Sequence, residues 1–197
     1  MKVALCGVTG RMGKTILSVL LEKGHVLAHA LDADSCSMLG QDAGAFIATK
    51  TGIAIQSLSS VSLAADVAVD FSTPSATEVL LQKAVASSIP VVIGTTGFSE
   101  TQRIKIQKAA EFIPIVFSPN MSVGVNLLFK LTQIASSILQ EGYDVEIFEA
   151  HHRLKKDSPS GTAKKLIDIV MENRKDLEQA KLIHGREGIV GERTNNE

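Results

Sequence analysis

Val3-Ala4-Leu5-Cys6 is an apolar run too short for a helix. It stops at Gly7-Val8-Thr9-Gly10-Arg11-Met12-Gly13, after which apolar residues recur with helical period from Lys14 to Lys23. Strand, glycine turn and helix in this order leave few folds open. A helix N-terminus presents unpaired backbone N–H groups and about half a positive charge, and glycines without a Cβ let a phosphate come close to them. Ile16, Leu17, Leu20 and Leu21 form the buried face of that helix, with Gly24 as its C′ stop. The spacing is G-x-x-G-x-x-G rather than the usual G-x-G-x-x-G, so the order of elements carries the inference and the glycines alone do not.

A second strand is expected over His25 to Leu31. It ends at Asp32, nineteen residues past Gly13, where an acid accepts hydrogen bonds from the adenosine ribose hydroxyls of a dinucleotide. The plainer reading of Asp32 is an ordinary loop carboxylate. Residues 33–40 contain no Arg or Lys to pair with a 2′-phosphate. This favours NADH over NADPH, although Arg11 stands near enough in sequence to reach such a group.

The alternation continues. Strands are expected over Gly52–Gln56, Asp66–Phe71, Ile89–Ile93 and Ile113–Phe117. Thr73 reads as the N-cap and Pro74 as the first residue of a helix over 74–88, with Ser75 and Glu78 spaced for a capping box, and Ser99 with Gln102 caps the next helix. Apolar strands separated by helices indicate an α/β, Rossmann-like, doubly wound parallel sheet covered on both faces. In such sheets ligands sit beyond the carboxyl ends of the strands. Ser72-Thr73, Gly94-Thr95-Thr96-Gly97 and Ser118-Pro119-Asn120-Met121 all fall at those ends, so they are expected to share the edge with Gly7 to Gly13.

A long amphipathic helix is expected from Ser122 to Gln140, its stripe made by Val125, Leu127, Leu128, Leu131, Ile134 and Ile138, and Gly142 stops it. The first domain is therefore expected to span 1–120 and bind the dinucleotide, with a smaller α+β substrate domain over 121–197. Tyr143 to Ala150 alternates apolar and acidic residues with period two and is expected as a half-buried strand.

His151 and His152 follow that strand, then Lys155, Lys156 and the turn Ser158-Pro159-Ser160-Gly161-Thr162 before a last helix for which Ser160 is the N-cap. A helix start of this kind suits a carboxylate, Gly161 lets it approach the backbone, and a histidine can hold or donate a proton near neutrality. Each part has a plainer reading: Ser-Gly-Thr as a cap only, Lys-Lys as a solvated run, and His-His as a metal pair. For the metal pair the chain lacks H-x-H or H-x-x-x-H spacing and a nearby cysteine, so no metal is expected. The coincidence of all three parts in one loop favours an active site, and the residues alone leave open which histidine handles the proton.

The 197 residues, 45% of them hydrophobic, carry a net charge of −1, which suffices for one large or two small domains and lacks the basic excess of a nucleic-acid binder. Cys6 and Cys36 make no C-x-x-C motif and are expected to be reduced. No stretch reaches membrane-spanning length and the first apolar run is too short for a signal peptide, so a cytoplasmic location is expected.

G-x-x-G-R-M-G at 7–13, the acid at 32, D-F-S-x-P at 70–74, G-T-T-G-F at 94–98, P-N-x-S-V-G-V-N at 119–126 and E-A-H-H-R-x-K-x-D-x-P-S-G-T-A at 149–163 follow one another along the whole chain. In these motifs the sequence resembles the 4-hydroxy-tetrahydrodipicolinate reductase (dihydrodipicolinate reductase) family of lysine and diaminopimelate biosynthesis. The resemblance implies an NADH- or NADPH-dependent oxidoreductase acting on a small cyclic dicarboxylate. It implies that Gly7, Val8, Thr9, Gly10, Arg11, Met12, Gly13, Asp32, Gly94, Thr95, Thr96, Ser118, Pro119, Asn120 and Met121 hold the cofactor. It further implies His151 as the catalytic histidine, Lys155 as the proton donor, and His152, Ser160, Gly161 and Thr162 as substrate ligands. Family members run some tens of residues further and assemble as homotetramers. This sequence stops at Glu197, so the substrate domain is expected to be incomplete at its C-terminus, with assembly in doubt.

Overall fold

Alternate residues of β1 (Lys2–Cys6) join two different cores. Val3 and Leu5 pack with Leu17 and Leu20, whereas Ala4 and Cys6 pack with Leu80, Ala84 and Ile106. A strand buried on both faces belongs in the middle of a parallel sheet. The computed structural model describes residues 1–153, 158–177, 180–185, 187 and 191. Contacts divide the chain into two units, Met1–Pro119 and Asn120–Glu197.

In the first unit, β1, β2 (Val26–Asp32), β3 (Ile55–Ser57), β4 (Val67–Asp70), β5 (Val91–Ile93) and β6 (Ile115–Phe117) form one sheet of order β3-β2-β1-β4-β5-β6, every neighbour parallel. Helix α1 (Arg11–Glu22) contributes Leu17 and Leu20 to one core; α2 (Pro74–Ala86) and α3 (Glu100–Ala109) contribute Leu80, Leu81, Ala84, Ile106 and Ala109 to the other. This is the doubly wound, Rossmann-like architecture that the alternation calls for, and the strand order reverses between β1 and β4.

The local signals act mostly as read. Thr73 Oγ1 accepts from Ala76 N at 3.3 Å with Pro74 at the first position of α2, and Ser99 and Gln102 form a reciprocal capping box on α3. Ser75 and Glu78 do not form one. Because Thr73 is the cap, Glu78 is free to pair with Lys105 at 2.5 Å. A 3₁₀ turn over Ala43–Ile47 was not expected. Asp42 builds it, accepting from the N–H groups of Gly44, Thr51 and Gly52 at 2.8, 3.0 and 2.7 Å. Those bonds, led by that from Thr51, hold its carboxyl down at about 2.

The second unit contains α4 (Val123–Ile138), α5 (Gly161–Asn173) and a 3₁₀ turn over Lys175–Leu177. Ser122 caps α4 through Val125 N at 3.4 Å, and Gly142 beyond it has φ +90°. Arg174, 2% exposed, pairs with Asp176 and donates to the Tyr143 carbonyl at 2.9 Å. The run over 143–150 is in no strand, contrary to expectation. A strand exists through its ladder, and alternation in one segment specifies which side chains share a face without providing the pairing partner. Among the described residues no helix is long and apolar enough to cross a membrane.

Candidate active site

Gly7 leaves β1 with φ +79°, and a Cβ on it would run into the Phe71 carbonyl; a Cβ on Gly13 would overlap the Gly7 carbonyl. Only glycine allows the start of α1 to lie this close to the end of β1. Gly10 is the N-cap and has no side chain to close the helix mouth, so the N–H groups at Arg11 and Met12, on an exposed turn, lack a capping partner. Val8 is fully buried and anchors the turn. Thr9 donates through N and Oγ1 to Asp32 Oδ2 at 3.0 and 2.7 Å, and Ala33 N donates to Oδ1 at 2.9 Å. The Asp32 carboxylate is therefore fixed beside the turn with acceptor capacity left on Oδ1. An uncapped helix mouth over glycines and an oriented acid fit a dinucleotide's pyrophosphate and ribose.

The neighbouring strand ends are tied together by a residue that opens the D-F-S-x-P motif and was given no role from sequence. Asp70, fully buried at the end of β4, accepts from Ser72 Oγ and Thr77 Oγ1 at 2.5 Å and from Thr95 Oγ1 at 3.0 Å; Thr95 Oγ1 in turn accepts from Ser72 N at 2.9 Å. One carboxylate thus fixes the β4 turn, the β5 turn and the first turns of α2. The Phe71 ring lies against Gly94, whose Cα could carry no side chain there. Thr95 is buried, Thr96 is exposed, and Ser118 N donates to Ile93 O at 3.2 Å. Burial, with Asp70 next in effect, pushes the Cys6 thiol well up, so it stays protonated. The signal for Asp70 was its place at the end of an apolar strand, where a charge needs partners, but those partners lie up to 25 residues away.

In the second unit Asn120 organises its own motif: Oδ1 accepts from Ser122 N, and its carbonyl accepts from Asn126 Nδ2, both at 2.9 Å. Its Nδ2 reaches Thr162 Oγ1 at 3.5 Å, which brings one expected cofactor residue to one expected substrate residue. Pro119 and Met121 are exposed beside it.

Ser160 is the N-cap of α5, its Oγ accepting from Ala163 N at 3.1 Å, as expected. Gly161 is exposed, and a Cβ there would meet nothing within 4 Å, so the helix mouth opens to space. His151 and His152 are exposed. Glu149, not assigned a role from sequence, bonds His151 Nε2 through Oε2 at 2.7 Å and accepts from Ser160 N through Oε1 at 2.9 Å. His151 first and Ser160 second lower its carboxyl to about 2. Its signal was the i, i+2 spacing from His151. Lys155 lies outside the described residues. A cavity of about 610 Å³ is lined by Glu146, Phe148, Glu149, Pro159, Ile167 and Lys181 among others, and by none of His151, His152, Gly161 or Thr162. It borders the start of α5 through Glu149, Ser158, Pro159 and Ala163.

The first unit places the chain among the dinucleotide-binding α/β proteins of the Rossmann type. The sequence model described as dihydrodipicolinate reductase, N-terminus, matches residues 1–121, and that described as dihydrodipicolinate reductase, C-terminus, matches residues 124–196. The 4-hydroxy-tetrahydrodipicolinate reductase of Thiobacillus denitrificans is 49% identical over 195 residues, which cover 98% of this chain and 73% of the relative. That of Aromatoleum aromaticum is 46% identical, over 98% of this chain and 71% of the relative. A solved dipicolinate-bound dihydrodipicolinate reductase from Paenisporosarcina sp. TG-14 superposes with a TM-score of 0.65 at 24% identity, covering 98% of this chain and 72% of that one, a likeness of fold. The chain belongs to the dihydrodipicolinate reductase family, whose members are NAD(P)H-dependent oxidoreductases of lysine and diaminopimelate biosynthesis.

Proposed function

We propose that the chain reduces 4-hydroxy-tetrahydrodipicolinate to tetrahydrodipicolinate, the residues over 1–120 holding the nicotinamide cofactor and those over 121–197 the substrate. The observation that carries this reading is the match of both parts of the chain to the two parts of one reductase family.

The bound cofactor supplies the hydride. The protein's contribution is to bind, orient and charge the site. Backbone N–H groups at Arg11 and Met12 face the pyrophosphate, Asp32 takes the ribose hydroxyls, and Gly94 to Thr96 with Ser118 to Met121 border the rest of the cofactor. At the other end of the reaction, the Gly161 and Thr162 N–H groups and His152 take a substrate carboxylate, with Ser160 holding the turn. Lys155 donates the proton to the carbon next to the one that receives hydride, and His151 is the catalytic histidine beside it.

NADH is the favoured cofactor. Asp32 is joined on the same edge by Asp34, whose carboxyl is kept low by Ser57 first and Ser59 second. Two carboxylates and no cation over 33–40 disfavour a 2′-phosphate. A larger kcat/KM for NADPH than for NADH would overturn this preference. The family's homotetramer is the assembly to test for this chain, and sedimentation velocity does so directly.

Following nicotinamide absorbance with freshly made substrate tests the whole reading. Lys155→Ala is expected to lower kcat by about 10²- to 10⁴-fold while leaving NADH binding intact; an unchanged rate removes Lys155 from its role. A non-catalytic nicotinamide sensor would instead bind NADH and ignore pyridine-2,6-dicarboxylate.

A further inference from the structure

We propose that Glu149 is the positioning residue of the proton-handling site: it ties the His151 imidazole to the mouth of α5 through the backbone of Ser160. The proposal rests on the role given to His151 above and goes beyond it, because it assigns a residue that neither the motif reading nor the family match assigns.

The two oxygens of one carboxylate are divided between two partners. Oε2 lies 2.7 Å from His151 Nε2, and Oε1 accepts from Ser160 N at 2.9 Å. Ser160, only 5% exposed, is itself fixed by its bond to Ala163 N in the first turn of α5. The clamp therefore joins a side chain on an otherwise irregular segment to a helix terminus. Segments outside helices and strands are the less precise places to hold a catalytic group, and such a tie is what gives them a defined geometry.

The chemistry of the pair has a direction. An ionised carboxylate only accepts hydrogen bonds, so Nε2 carries a proton and Nδ1 is left as the ring nitrogen for a ligand. The positive end of the α5 dipole favours the carboxylate, and the carboxylate holds the Nε2 proton in place. Glu149 thereby delivers a ring protonated at Nε2 to the same helix mouth whose Gly161 and Thr162 N–H groups suit a substrate carboxylate. With Ser160 N occupied by Glu149 and Ala163 N by Ser160 Oγ, those two N–H groups are the ones left in the first turn.

The test uses the full chain and three variants, Glu149→Gln, His151→Ala and the double substitution. Gln keeps an oxygen for Ser160 N and loses the charge that sets the imidazole. In long-range ¹H–¹⁵N spectra, with the His151 signals assigned by their loss in His151→Ala, the native ring is expected to show a single state protonated at Nε2. Glu149→Gln is expected to give a mixture of tautomers, to lower kcat by about tenfold to a hundredfold, and to change the Kd for NADH and for pyridine-2,6-dicarboxylate by less than about twofold. In the His151→Ala background the same substitution is expected to have no further effect. An unchanged His151 tautomer in Glu149→Gln, or an equal loss of kcat in the two backgrounds, overturns the positioning role. Full activity of His151→Ala instead overturns the assignment of His151, and the intact Nε2 signal then shows the clamp to be structural alone. Glu149→Asp, which keeps the charge on a shorter arm, is expected to retain the Nε2–H state and recover part of kcat.

Discussion

The apolar stripes of α1 and α4 have the same helical period and opposite fates. On α1, Leu17 is fully buried and Leu20 is 5% exposed, whereas on α4 Leu127, Leu128, Leu131 and Ile134 stand 57%, 46%, 54% and 46% exposed. Only Phe129 and Ser136 of α4 are buried. Periodicity says which face of a helix is apolar; burial requires that something lie against it, and for α1 the six-stranded sheet does so. The same contrast separates the strands. Val91–Ile93, a continuous apolar run, pairs on both sides within the sheet, whereas the alternating run over 143–150 is in no strand.

The largest expected effect sharpens that contrast. Leu17→Ala should cost about 2–5 kcal/mol of stability through lost burial and a residual cavity. Leu131→Ala, the same chemical change on α4, should fall within about 0.5 kcal/mol. Urea unfolding of both variants checks this; equal costs would mean that the α4 stripe is covered in solution. Next comes the hub of the first unit. Asp70→Ala leaves the Ser72, Thr77 and Thr95 hydroxyls without their acceptor in a dry site, at a cost of about 1–3 kcal/mol, and should weaken NADH binding because both strand-end turns loosen. Asp70→Asn, which still accepts and donates, should recover most of it; a variant with alanine-like losses would show that the charge, not the tie, matters.

The smallest effect is acid sensitivity. The Asp42 carboxyl is held at about 2, below its ordinary value of 3.8. A depressed carboxyl adds stability that is present above the ordinary value and is lost as pH falls toward the lowered one. The melting temperature of Asp42→Asn should therefore depend less on pH between about 4 and 2 than that of the parent chain. Parallel curves would remove the 3₁₀ turn as a source of acid sensitivity.

Much of the first unit was legible because its signals are local. Apolar runs of strand length, the Thr73-Pro74 start, the Ser99–Gln102 box and the glycines at 7–13 each act within a few residues, and the caps formed where they were read. Asp42, Asp70 and Glu149 were not legible as organising residues. Asp70 meets Thr95 across 25 residues and Glu149 meets Ser160 across 11. The local sequence hints that Asp70 and Glu149 need partners but does not say which distant groups supply them. Lys155 falls outside the described residues, so its role rests on the motif and on the kinetic test above.

By itself the sequence determined the order of strands and helices in the first unit, the helix starts, the glycine turn and the family to which the motifs point. Those depend on side-chain period, backbone freedom and capping within one or two turns of chain. Only the tertiary structure decided which apolar faces are covered, that Asp70 gathers two strand ends, and that Glu149 joins His151 to the start of α5. Burial and hydrogen bonding across distant segments depend on where those segments meet in space, and no single stretch of sequence carries that information.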